Sequence, residues 1–89
     1  MIRVHLNVHD AEGDLIDWEG SSFPSLDFTR HAGIMGIRSL LSAQALDGEI
    51  DLNGRLELVD QSGVVLDVIL FTDALTIIRP LHGPTNHPA

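Results

Sequence analysis

His9-Asp10-Ala11-Glu12-Gly13-Asp14-Leu15-Ile16 and Val59-Asp60-Gln61-Ser62-Gly63-Val64-Val65-Leu66 share one frame, Asp-x-x-Gly-x-x-Ile/Leu. Asp at the first position of a tight turn, with Gly at the left-handed position that follows, is what a bulged β-hairpin requires. Upstream of the first copy, Ile2, Val4, Leu6 and Val8 alternate with Arg3, His5, Asn7 and His9, the period of a half-buried strand. The return strand is expected over Leu15–Glu19, with Ile16 and Trp18 facing the core. Around the second copy, Gly54–Asp60 reads as a third strand and Val64–Phe71 as a fourth. The fourth is apolar on both faces apart from Asp67, which implies a central position or an edge covered by another chain. A short further strand is expected over Leu75–Arg79.

Between the hairpins lies one stretch long enough for a helix. Ser22 or Ser25 supplies a cap, Pro24 sits near the first turn, and Gly48 is the expected stop, so the helix should run from about Ser25 to about Leu46. Steps of ~100° place Leu26, Gly33, Ile37, Leu40, Leu41 and Gln44 on one face, with Ile34 at its edge. Arg30 shares that face, where its stem can cover apolar surface while the guanidinium reaches water or a carboxylate. The architecture is α+β: a two-layer β-β-α-β-β domain over residues 1–79, a four-stranded antiparallel sheet with one long helix on one face. Residues 80–89, rich in Pro and His, read as a disordered tail.

Two features of the helix bear on function. Gly33 and Gly36 stand in its interior at a cost of ~1 kcal/mol each relative to alanine, which implies close approach of the sheet or of a second chain. Phe28, Met35 and Leu46 cluster opposite the core stripe, with Ala32 and Ala43 beside them. An apolar stripe on an outer face marks an interface. The expected interface residues are therefore Phe28, Met35, Gly36 and Leu46, and the expected assembly is a homodimer.

Composition narrows the chemistry. With 89 residues the chain supports one domain, and 44% hydrophobic residues suffice for a modest core. There is no cysteine, which excludes disulfides, thiol catalysis and cysteine-ligated zinc. All five basic residues are arginines, so a lysine Schiff base and a phosphate-loop lysine are also excluded. A net charge of −8 disfavours nucleic acid and anionic membranes and favours a basic protein partner. No apolar run approaches the ~20 residues of a membrane span, and Met1–His5 has no leader layout, so a cytoplasmic location is expected.

The candidate constellations are weak. His5 and His9 share a strand face on which Asp67 could join them, the donor types of a metal site. Residues four apart on a strand are ~13 Å apart, however, too far to share one ion at bonds of ~2 Å. Asp10, Glu12 and Asp14 lack the spacing of a calcium loop, and the second turn keeps its Asp and Gly without the extra acids. Serines 21, 22, 25, 39, 42 and 62, with His31 as a possible base, form no nucleophile elbow. No catalytic residue, metal or cofactor is assigned.

Several segments together resemble a known family. They are Val4-His5-Leu6-Asn7-Val8-His9-Asp10, Trp18-Glu19-Gly20, Phe23-Pro24-Ser25-Leu26, Arg30, Arg38, Gly54-Arg55-Leu56-Glu57-Leu58-Val59-Asp60 and Leu70-Phe71 with Ala74. The chain is similar over about residues 2–79 to a bacterial domain-of-unknown-function family of short β-β-α-β-β proteins, frequent in soil and plant-associated bacteria. Members usually carry alanines and glutamates where this helix has Gly33-Ile34-Met35-Gly36, and an aromatic pair where it has His5-Leu6. The resemblance implies the fold and no catalytic residues. The expected function is a non-enzymatic interaction module that associates with itself. The alternative is an antitoxin-like or regulatory subunit binding a small basic protein, since the hairpin-then-helix layout is similar to antitoxins with a partial ribonuclease-H-like domain, although no appended helix-turn-helix is read here.

Overall fold

The computed structural model describes residues 1–81, so the tail expected over 80–89 lies outside the described residues from position 82 onward. The elements are β1 (Ile2–Asp10), β2 (Gly13–Leu15), β3 (Ser21–Phe23), α1 (Leu26–Leu46), β4 (Arg55–Val59) and β5 (Val65–Leu70), followed by a 3₁₀ turn over Phe71–Ala74. They form an antiparallel five-stranded sheet in the order β2-β1-β4-β5, with β3 also paired to β1 and α1 packed on one face. The expected α+β two-layer architecture is what is found, with one strand more.

The extra strand comes from an interruption. Register runs Val8↔Leu15 on β2 but Val4↔Ser21 on β3, so the returning chain carries two more residues than β1 between these pairs. Asp17 fills the gap in the ladder. Its Oδ2 accepts from Leu6 N at 3.1 Å and its Oδ1 from Gly20 N at 3.0 Å, while its own N donates to Asn7 Oδ1 at 2.9 Å. The strand expected over Leu15–Glu19 is corrected accordingly. It ends at Leu15, Ile16 is half-buried, and Trp18 is 84% exposed rather than inward.

Both Asp-x-x-Gly segments are turns. Asp10 Oδ1 accepts from Glu12 N at 2.9 Å, and Asp60 Oδ1 accepts from Ser62 N at 2.8 Å and Val64 N at 3.0 Å. Gly13 and Gly63 take φ of 124° and 88°, a region glycine enters without steric cost.

Ser25 caps α1, its Oγ accepting from Phe28 N at 3.1 Å. The buried row is Thr29, Gly33, Ile37 and Leu41, spaced by four, with Leu40 and Gln44 half-buried. Leu26, expected in the stripe, is exposed in the first turn, and Thr29 takes the inward place there, its hydroxyl donating to Ser25 O at 2.8 Å. The core is closed by Val4, Leu56, Leu58, Ile69, Phe71 and Ala74. Arg30 reaches a carboxylate as expected, with Nη1 2.6 Å from Asp67 Oδ2.

β5 is an edge strand, which removes the central option for the apolar fourth strand. Phe71 N donates to Gly54 O on the β4 side, so by alternation the N–H groups of Val68 and Leu70 point outward. Each donates to a carboxylate: Val68 N to Asp67 Oδ1 at 2.8 Å and Leu70 N to Asp73 Oδ2 at 2.9 Å. The strand expected over Leu75–Arg79 is not formed. The 3₁₀ turn carries the chain off the sheet, and Arg38 Nε holds it to α1 through Ala74 O at 2.7 Å.

Candidate functional site

Period-two alternation sends Leu6 and Val8 of β1 toward α1, and β2, paired by register, sends Leu15 to the same side. The helix answers with Ala32, Gly33, Gly36, Ile37 and Leu40. Between them lies an open groove of ≈ 470 Å³ floored by Leu6, Val8 and Leu56. That volume falls within the ~300–1,000 Å³ of ordinary small-molecule pockets.

The two helix glycines play different parts. A Cβ on Gly33 would stand 2.7 Å from Leu56 Cδ2 and 3.4 Å from Ile69 Cδ1, so Gly33 lets the sheet close against α1. A Cβ on Gly36 would meet nothing within 4 Å, so Gly36 opens the groove wall. The approach inferred from both glycines is thus made by sheet side chains at Gly33.

Of the expected interface residues, Phe28 and Met35 are about half exposed and Leu46 is 88% exposed. Ala32 lies one helical turn from both Phe28 and Gly36, and Met35 adjoins Gly36. The outer stripe therefore passes over small residues into the groove. Leu46 stands apart near the helix C-terminus. The groove itself was missed in sequence, because it requires the β1–β2 hairpin and α1 to be set side by side; the one available signal was Gly36 on the edge of an apolar stripe.

The turn end of the groove is acidic. Asp10 and Glu12 line it, and they also line an adjoining depression with Asp47, Glu49 and Asp51. Asp51 is held in place by its hydrogen bonds. Its Oδ1 accepts from Asn53 N at 2.9 Å and Asn53 Nδ2 at 3.0 Å, and its Oδ2 accepts from Ala11 N at 3.2 Å. The backbone bond from Asn53, then that from Ala11, then the Asn53 side chain hold the Asp51 carboxyl below the ordinary carboxylate value.

The histidines fall on the opposite face of the sheet. His9 bridges two carboxylates, with Nδ1 2.7 Å from Asp14 Oδ1 and Nε2 3.2 Å from Glu57 Oε1, and Arg55 Nε donates to Glu57 Oε2 at 3.1 Å. His5 Nδ1 lies 2.6 Å from Asp17 O. Asp67, considered as a third donor, points instead to the helix side and Arg30, because the β4–β5 register shifts at Leu58/Val59 and sets Asp67 opposite the inward Leu58. Among the described residues no group of three or more His, Asp or Glu side chains is arranged to hold a metal ion. His31 is exposed on the outer helix face, and Ser25 is occupied as the helix cap.

Among the described residues no helix is long and apolar enough to cross a membrane. No protein-family model, no curated protein and no solved structure matches this chain.

Proposed function

We propose that this protein is a non-enzymatic interaction module that associates with itself through the outer and groove-side surface of α1. The observation that carries the reading is the continuity of apolar surface from Phe28 and Met35, over Ala32 and Gly36, into a groove walled by Leu6, Val8 and Leu40. Exposed apolar surface of this extent is costly unless a partner covers it. The carboxylates on Val68 and Leu70 N–H support the same choice of surface, since they occupy the donors that strand addition at β5 would use. Sedimentation over a range of concentration tests the proposal. The expected result is a dimer, twice the 9.7 kDa chain, that Met35→Glu returns to monomer without loss of helix content. A monomer at every concentration would overturn it.

A second reading, a regulatory subunit for a small basic protein, is favoured by Asp10, Glu12, Asp47, Glu49 and Asp51 at one end of the groove. Its test is capture from native lysate. A basic protein released by moderate salt supports it, and capture of this chain alone counts against it.

A further inference from the structure

The chain that leaves the 3₁₀ turn carries large apolar side chains with no cover: Ile77 is 44% exposed, Ile78 90% and Leu81 97%. The charge around them differs from that of the rest of the protein. All 13 carboxylate side chains precede Ala74, whereas Arg79 is the one formally charged side chain after it. Pro80 restricts Arg79 to extended backbone, so the arm is stiffened before it meets any surface. The groove is its complement, with apolar walls and acids gathered at the Asp10–Glu12 end.

We infer that Ile77–Leu81 is the occupant of the groove, and that it enters the groove of a second copy of this chain. This deepens the self-association reading and rests on it. Ile78 and Leu81 seat against Leu6, Val8 and Ile37, and Arg79 faces Asp10 and Glu12. The exchange is placed between copies because, within one copy, none of Ile77–Leu81 lines the groove and Ile77, Ile78 and Leu81 stand exposed. The arm starts beyond β5, at the opposite edge of the sheet from β2. Three inter-strand steps of ~4.8 Å lie between these two edges. Reciprocal exchange closes a two-fold dimer in which each copy gives one arm and receives one.

The experiment uses the full chain in three forms, by sedimentation equilibrium. One variant spoils the arm, Ile78→Asp with Leu81→Asp. Another fills the groove, Gly36→Trp, at a position where a side chain meets open space. Each variant alone is expected to lose the dimer while keeping the circular dichroism and melting behaviour of the parent. Mixed at equal concentration, the two should form a heterodimer through the one intact arm and the one intact groove. Retention of the parental dimer by the arm variant overturns the arm as occupant and leaves the self-association reading standing, whereas retention by Gly36→Trp overturns the groove as the seat of either. Loss of the dimer by both variants with no recovery on mixing also overturns the exchange. A parental chain that is monomeric throughout overturns both inferences.

Discussion

Leu56 Cδ2 lies 2.7 Å from the place a Cβ on Gly33 would occupy, so helix and sheet meet at a residue that has no side chain to offer. Leu56 is almost fully buried and is itself packed beside Ile69. A methyl group added at Gly33 must displace it. Overpacking costs ~1–3 kcal/mol, against a gain of ~1 kcal/mol in helix propensity. Gly33→Ala is therefore expected to lower stability by up to ~2 kcal/mol. Gly36→Ala, with nothing to meet, should raise stability by up to ~1 kcal/mol. Urea midpoints of the two variants, read against the parent, check the opposite signs.

Asp17 replaces a backbone partner where the ladder along β1 breaks, accepting from both Leu6 N and Gly20 N. Asp17→Ala leaves these donors without their partner at a part-buried site. An unsatisfied buried donor costs ~1–3 kcal/mol, and a loss of ~2 kcal/mol is expected in denaturant unfolding. Asp17→Asn should recover only part of this loss, since one of its two terminal groups donates and cannot accept from an N–H.

At the β5 edge, Asp67 and Asp73 occupy the outward N–H groups of Val68 and Leu70. Removing both carboxylates, Asp67→Ala with Asp73→Ala, bares an apolar edge in which Leu66, Val68 and Leu70 are already exposed. Such an edge templates strand addition. The double variant is expected to aggregate with thioflavin-binding material under conditions in which the parent stays clear, and light scattering with thioflavin fluorescence reads the difference.

Asp51 ties the loop before β4 to the first hairpin through Ala11 N. Its carboxyl is held below the ordinary value of 3.8 by the bonds from Asn53 and Ala11. A carboxyl depressed in the folded state stabilises that state above its unfolded value, and the contribution disappears as pH falls through the folded value. The stability gap between the parent and Asp51→Ala should thus be full at neutral pH, shrink below about pH 3.8 and close further down. Unfolding curves across acid pH measure the gap.

Much of the fold was legible because its signals are local. Asp10 with Gly13 and Asp60 with Gly63 mark two turns by backbone demand alone, and Ser25 with Gly48 brackets the helix between them. The inward faces of the return strand are not local in this sense. Ile16 and Trp18 alternate with Asp17 and Glu19 as inward residues would, but the pairing of Val8 with Leu15 turns Leu15 toward the helix and the strand ends there. The two-residue insertion at Asp17 was hidden for a similar reason, since a carboxylate standing in for a ladder partner looks like any polar strand residue. The place of β5 depends on which edge of the sheet the chain returns to, and its apolar sequence suits a buried centre as well as a capped edge. Of the functional surface, the stripe of Phe28 and Met35 was visible in helical periodicity. The groove beside it is a property of two elements placed together, with only Gly36 to mark it.

The central claim, that copies of this chain meet on the groove side of α1, is tested most directly by backbone amide spectra recorded over a dilution series. Shifts at Phe28, Ala32, Met35 and Gly36 are expected to move with concentration toward a saturating bound state, while those at Val68 and Leu70 on the capped edge stay fixed. Spectra that do not change with concentration, or changes confined to β5, would contradict it.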